Sequence, residues 1–236
     1  MATSDPSSPA IDPAPTAVVD VNFLSQSTYI TSLLEKANQY MDAIGYTEHG
    51  VRHAERSAQM AGHILGALGY PERQSQLAGV AAYLHDIGNV VSRDGHHISG
   101  AQIAFGFLGQ MKMPVDELTD VVSAIGNHEE SVGSPVTPVA AAVIIADKAD
   151  VHRSRVQNPE IERFDIHDRV NWSAVDSGLL VDPARKSIAL ELTIDTSMSS
   201  VMEYFEIFLN RMVMCRGAAE ALECKFGLTI NGQRLG

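Results

Sequence analysis

His85 and Asp86 stand side by side at the end of an apolar stretch, Leu77 to Leu84, so two metal-ligating side chains sit where a buried helix stops. Further ligating side chains recur at the same kind of place: His53 upstream, then His96, His97, His128 and Asp147, each at or near the end of an apolar segment that reads as a helix. Burying imidazoles and carboxylates without partners is costly. The pattern therefore constrains the chain to a bundle whose helices aim these groups at one place, as a polynuclear metal site requires.

Helical neighbours are separated by about 100°, so residues 85 and 86 share one ion only near their common edge or beyond the helix end, which Gly88 supplies. Imidazole and carboxylate together suit first-row ions such as Mn, Fe, Co, Ni or Zn better than a purely oxygen site does. Taken alone, the dipeptide reads equally well as a helix end with a hydrogen-bonded histidine and a capping aspartate. Asp147 is harder to explain away, because it lies in the apolar run Val139 to Ala149. Asp150 shares its face and competes for the ligand role, although orienting a histidine or pairing with Arg153 is the preferred reading. His128 follows Gly126-Asn127, a helix C-terminus in pattern, where a histidine also suits the helix dipole.

From Asn22 to about Arg155 the periodicity predicts helices over 26–44, 50–68, 72–87, 97–110, 115–126 and 137–156, with Pro71, Pro114, Pro135 and Pro138 at their junctions. Beyond Phe164, Val170 to Val181 and Ser187 to Ile194 read as a strand hairpin. A long amphipathic stretch from Ser199 to about Cys224 follows, and then a short strand, Gly227 to Ile230, before the turn Asn231-Gly232. The expected fold is mainly α: a helical metal-binding domain over 21–160, then a small α+β extension over 161–236 made of hairpin, long helix and short strand. Residues 1–20 hold four of the ten prolines and no Lys or Arg, and read as a disordered tail without a signal peptide. Tyr40, Tyr46, Tyr70, Tyr83 and the methionines of Met202 to Met214 are expected in the core.

A formal net charge of −12 argues against broad nucleic-acid binding through phosphates, and no apolar run approaches the roughly 20 residues of a membrane span. The expected partner is a small phosphorylated substrate, drawn in by bound cations. Cys215 and Cys224 form neither a disulfide framework nor a CxxC pair and read as buried, reduced thiols of a cytoplasmic protein. G-x-S-x-G and G-x-x-x-x-G-K-S/T elements are missing from the sequence, which removes support for serine hydrolase and P-loop classes.

His53, then His85-Asp86-Ile87-Gly88, then Asp147 within Ile144-Ile145-Ala146-Asp147-Lys148 resembles the HD-domain metal-dependent phosphohydrolase superfamily over roughly residues 45–156. The resemblance implies an HD-type helical bundle that holds a first ion with His53, His85, Asp86 and Asp147. His96-His97-Ile98-Ser99-Gly100 is similar to the H-x-x-x-G element of many members, and His128-Glu129 to their H-E element. Carried over, these give a second site of Asp86, His96 and His128, with Asp86 bridging and His97 the competitor of His96. His49 matches an extra ligand of some dinuclear relatives, or is a helix-start histidine. Asn89 stands where many relatives have Lys in H-D-x-G-K, and no G-Y-P follows His128-Glu129, which argues against cyclic dinucleotide hydrolysis.

The function that follows is phosphoester hydrolysis by a metal-activated water, using one or two divalent ions (Mn, Fe, Co, Ni, Zn or Mg). Asp86 bridges or orients, while Arg56 and Lys148, with Arg153 as a further candidate, stabilise phosphoryl charge; Arg155 reads as part of a solvated face. Two other readings share this ligand grammar: a mixed-valent di-iron oxygenase, and a weakly catalytic regulatory module whose C-terminal extension forms a homodimer interface.

Overall fold

The structure, a computed structural model, describes residues 18–235. Most of the expected disordered tail, 1–17, lies outside them. Val19, however, is buried and the Asp20 carboxylate accepts from Phe23 N at 2.8 Å, capping α1 (Val21–Ser25), an element the periodicity did not reveal.

The bundle comprises α2 (Thr28–Ala43), α3 (Val51–Ala67), α4 (Glu72–Leu84), α5 (His96–Gln110), α6 (Val115–Gly126) and α7 (Pro138–Ala149). Pro71 and Pro114 cap α4 and α6, and Pro138 opens α7 behind a Thr137 cap, as their fixed φ and missing N–H favour. Helix α7 is buried on all sides from Val139 to Ala149, and α3 approaches α4 and α7 through Ala54, Ser57, Ala58 and Ala61. Small side chains there let three backbones converge. Asp147 can thus be central while belonging to an apolar helix.

Three expected boundaries are corrected. The third helix stops at Leu84, not 87, because the chain tightens into a 3-10 turn, Ile87–Val90. The sixth stops at Ala149, not 156, because Asp150 leaves helical geometry at ψ 72°, and only a 3-10 turn, Arg153–Arg155, follows. Residues 170–173 are helical, forming the end of α8 (Ile166–Ser173), which starts where Asp165 accepts from Asp168 N at 2.8 Å.

The extension then forms β1 (Ala174–Asp182), β2 (Ser187–Ile194), α9 (Val201–Ala221), β3 (Lys225–Ile230) and a two-residue β4 (Gln233–Arg234). Strand β1 pairs antiparallel with β2, and α9 crosses over to place β3 parallel to β2, in the order β1-β2-β3-β4. Ile188, Leu190, Leu192 and Ile194 alternate inward under α9, which buries Tyr204, Phe208, Met212 and Cys215. Helix α9 also packs on α7, and one apolar cluster runs from the bundle into the extension. The extension therefore completes the core behind α7.

Of the aromatic residues expected inside, Tyr83 is buried, Tyr70 is half-buried, and Tyr40 and Tyr46 are exposed; Met202 is exposed while Met212 is buried. Both cysteines are buried and free. Among the described residues, no helix is long and apolar enough to cross a membrane.

Candidate metal centre

Helix termini deliver the ligating groups. His53 lies in the first turn of α3, His85 and Asp86 directly follow α4, His96 opens α5, His128 follows the cap of α6, and Asp147 lies in the last turn of α7. All six are buried. Each imidazole is anchored through Nδ1: His53 on Asp150 Oδ2 at 2.7 Å, His85 on Ala82 O at 2.6 Å, His96 on Arg93 O at 3.0 Å and His128 on Ile125 O at 2.6 Å. A carbonyl or carboxylate oxygen only accepts, so Nδ1 carries the proton in each ring and Nε2 of the neutral ring is a lone pair.

Those lone pairs converge. Nε2 of His53 lies 3.2 Å from that of His85, and Nε2 of His96 lies 3.0 Å from that of His128. Asp86 stands between the two pairs: Oδ2 is 3.3 Å from His85 Nε2 and 3.6 Å from His53 Nε2, and Oδ1 is 3.5 Å from His96 Nε2 and 4.0 Å from His128 Nε2. Asp147 Oδ1 closes the first cluster at 3.3 Å from His53 and 3.5 Å from His85.

Facing lone pairs repel unless a cation lies between them. Ligand atoms held about 2.0–2.2 Å from an ion are spaced about 3.0–3.5 Å apart in tetrahedral or octahedral arrays, the range of six of these eight separations, the other two being 3.6 and 4.0 Å. Asp86 Oδ2 is buried with no hydrogen-bond partner, whereas Asn89 Nδ2 donates to Oδ1 at 2.9 Å. The donor set thus fits two divalent ions, a first on His53, His85, Asp86 and Asp147 and a second on Asp86, His96 and His128. Asn89, at the position where many members of the resembled family have lysine, orients the Asp86 carboxylate.

Electrostatics point the same way. Burial opposes charge on Asp86 and Asp147, but His85 and His49 for the first, and Lys148 and His85 for the second, outweigh it and hold both well below the usual carboxylate range. Burial likewise opposes charge on His85, yet Asp86 and Asp147 raise its pKa to about 10. Burial dominates at His128 and lowers it well below the ordinary value. The centre attracts positive charge, on His85 a proton that a bound ion would displace, while His128 is kept neutral.

Asp150 supports the first cluster. Fully buried, it accepts from His53 and from Arg52 Nη2 at 2.8 Å, with Arg56 Nε at 3.0 Å and Arg155 Nε at 3.9 Å, and these cations and His53 overcome burial to keep it ionised. It orients a histidine, as expected, but its partners are not Arg153, which lies over Trp172. Arg155 is buried against Glu48 O and Asp150 O, not on a solvated face. Carboxylates behind metal-bound histidines set ring orientation and basicity. Asp150→Asn is therefore expected to weaken the first ion about 10–100-fold; a chelator competition titration measures this, and unchanged affinity would exclude the role.

The remaining sequence-derived residues divide. His96, not His97, reaches Asp86 and His128; His97 lies beside Glu129 at the rim. His49 precedes α3 with its ring 5.8 Å from His53 and its Nδ1 on Thr47 O at 2.5 Å. Lys148 Nζ is 2.5 Å from Asp147 Oδ2 and 3.9 Å from Glu130. Arg56 turns away from the cluster, to Asp150 and to the carbonyl and hydroxyl of Ser177 on β1. Its nearest partner, Asp150, is the carboxylate behind His53. Arg93, Tyr46 and Arg52 carried no spacing signal: Arg93 reaches the rim only because Gly95, in the left-handed region at φ 71°, turns the chain into α5.

The family model for the HD domain matches residues 50–152. An uncharacterized protein, MJ1020, of Methanocaldococcus jannaschii is 26% identical over 192 residues, covering 72% of this chain and 73% of that one. Ribonuclease Y of Lawsonia intracellularis is 32% identical over 105 residues, 43% of this chain but 18% of that protein, so the chain spans under a fifth of it. A crystal structure of a predicted HD superfamily hydrolase from an uncultured Thermotogales bacterium superposes with a TM-score of 0.41 at 22% identity, covering 56% of this chain and 73% of that one.

Proposed function

From the match of residues 50–152 to the family model for the HD domain, we propose that the protein is a metal-dependent phosphohydrolase acting on a nucleotide or other small phosphoester. The observation that carries this reading is the division of one buried carboxylate, Asp86, between two pairs of converging Nε2 atoms. Bound divalent ions supply a water of lowered pKa and neutralise phosphoryl charge. The chain's own residues hold that chemistry in place: Asn89 fixes Asp86, Asp150 fixes His53, and backbone carbonyls fix the other three rings. Lys148 offsets the charge of Asp147, so the carboxylate stays ionised inside the bundle.

A small substrate is favoured over RNA, despite the name of one relative of the domain, because the chain carries a net charge of −12. The test is metal content with a phosphoester panel, including an oligoribonucleotide, on wild type and His128→Ala. Wild type is expected to hold about two ions and His128→Ala about one, with hydrolysis lost. A single ion unaffected by the substitution would confine the centre to the first cluster. Iron with oxygen uptake and no hydrolysis would instead identify an oxygenase.

A further inference from the structure

Arg93 is a cation at the rim of the centre whose ion pair, with Glu129, is long and leaves most of its donors unused. Its Nη1 lies 3.4 Å from His96 Nε2 and its Nη2 lies 3.7 Å from Glu129 Oε2, both longer than a strong charge-assisted hydrogen bond. The guanidinium carbon sits 5.4 Å from the centre of the exposed Tyr46 ring, a cation–π contact that uses none of its donors. Its side chain is 27% exposed, and its own carbonyl accepts from His96 Nδ1. Residue and ligand therefore move as one unit on the turn before α5.

The other cations near the centre are committed elsewhere. Lys148 is 6% exposed and bound to Asp147, Arg52 and Arg56 serve Asp150, and Arg211 pairs with Glu130 at 2.7 Å. A guanidinium offers five donors in a planar fork that matches phosphoryl oxygens. An ion held by His96 would take the Nε2 lone pair and so free the Arg93 donor aimed at it.

We propose that Arg93, steadied by Tyr46, is the residue that binds the substrate's phosphoryl oxygens at the second metal site. This rests on the phosphohydrolase reading and assigns to Arg93 the role that sequence spacing suggested for Arg56. The test uses the Mn-loaded full chain, wild type beside Arg93→Ala and Arg93→Lys, with metal content, calorimetric binding of inorganic phosphate, and kcat and KM on the best phosphoester of the panel. Arg93→Ala is expected to keep both ions and weaken phosphate binding about 10–100-fold, the value of hydrogen bonds to a charged group, with Arg93→Lys between it and wild type.

Full phosphate affinity and unchanged kcat/KM in Arg93→Ala, beside an active wild type, would overturn the assignment while leaving the hydrolase reading intact. Loss of the second ion in Arg93→Ala, with phosphate affinity restored when excess Mn refills it, would make Arg93 a support of His96 and also overturn it. A metal-loaded wild type that neither binds phosphate nor hydrolyses any phosphoester would defeat both readings together.

Discussion

Asp86→Ala is expected to abolish phosphoester hydrolysis and to strip the centre of metal. Of the ligating side chains, Asp86 is the one whose carboxylate faces all four Nε2 atoms, with Oδ2 toward His85 and His53 and Oδ1 toward His96 and His128. Removing it leaves the second cluster with two imidazoles and the first with two imidazoles and Asp147. Substitutions behind a ligand already cost about 10–100-fold in metal affinity, so loss of a shared ligand is expected to exceed about 100-fold at the second site. Asp86→Asn separates charge from shape, since an amide keeps the volume but lacks the negative charge. Its expected phenotype is residual weak metal at the first site and no hydrolysis. Elemental analysis after gel filtration, with activity at saturating Mn, reads both variants. Two tightly held ions in Asp86→Ala would sink the bridging role.

The cluster of candidate ligands was legible in the sequence because burying a charged or ring-nitrogen group in an apolar helix needs a reason. His85-Asp86 closing Leu77 to Leu84, and Asp147 inside Val139 to Ala149, announce themselves by contrast with their surroundings. His96 could not be told from His97 in sequence, since the choice depends on where α5 starts, and that is set by the left-handed Gly95. The surroundings of the ligands were harder to read. In sequence Arg56 reads as a phosphate contact three residues from His53, and Arg155 as a solvent-facing cation eight residues from Asp147. Their true partner is Asp150, which lies 94 and 5 residues away in the chain and is surrounded only once α3 and α7 converge. Residues 170–173 failed as a strand for a local reason: the Asp165 cap starts α8, and the helix runs on through this β-compatible sequence to Ser173.

The C-terminal extension illustrates the same division. Its hairpin, long helix and final strand follow from period-two and period-3.6 patterns, but the parallel pairing of β3 with β2 and the packing of α9 on α7 are long-range consequences that no local pattern encodes. Through Ser177, β1 also touches the arginine that holds Asp150. The extension thus reaches the first metal ligand, His53, through Arg56 and Asp150, which makes it part of the scaffold of the centre and not an appendage beside it.

Gly88→Ala is expected to unfold the protein more readily than any single substitution on its surface, and to cost the second ion before it costs the first. The 3-10 turn after Asp86 runs directly against the start of α5. A Cβ at position 88 would lie 1.9 Å from His96 O and 2.4 Å from Gly100 N, both backbone atoms that no rotamer change can move. The same approach is sealed by Ser99 Oγ, which donates to Gly88 O at 3.2 Å, and by Gly100, whose own added Cβ would meet His85 O at 3.2 Å. Relief therefore requires α5 to slide away from the turn, carrying His96 and Arg93 with it. Overpacking of this kind costs about 3 kcal/mol or more. For a chain of this size that lowers Tm by about 6–12 °C. His53 and Asp147 belong to α3 and α7, away from the slide, whereas His96 moves with α5, so the first site is expected to lose less than the second at temperatures where the variant remains folded. Calorimetry for Tm and metal counting at low temperature separate the two effects. A variant with unchanged Tm and two ions would show that α5 does not pack on the turn as closely as its backbone contacts require.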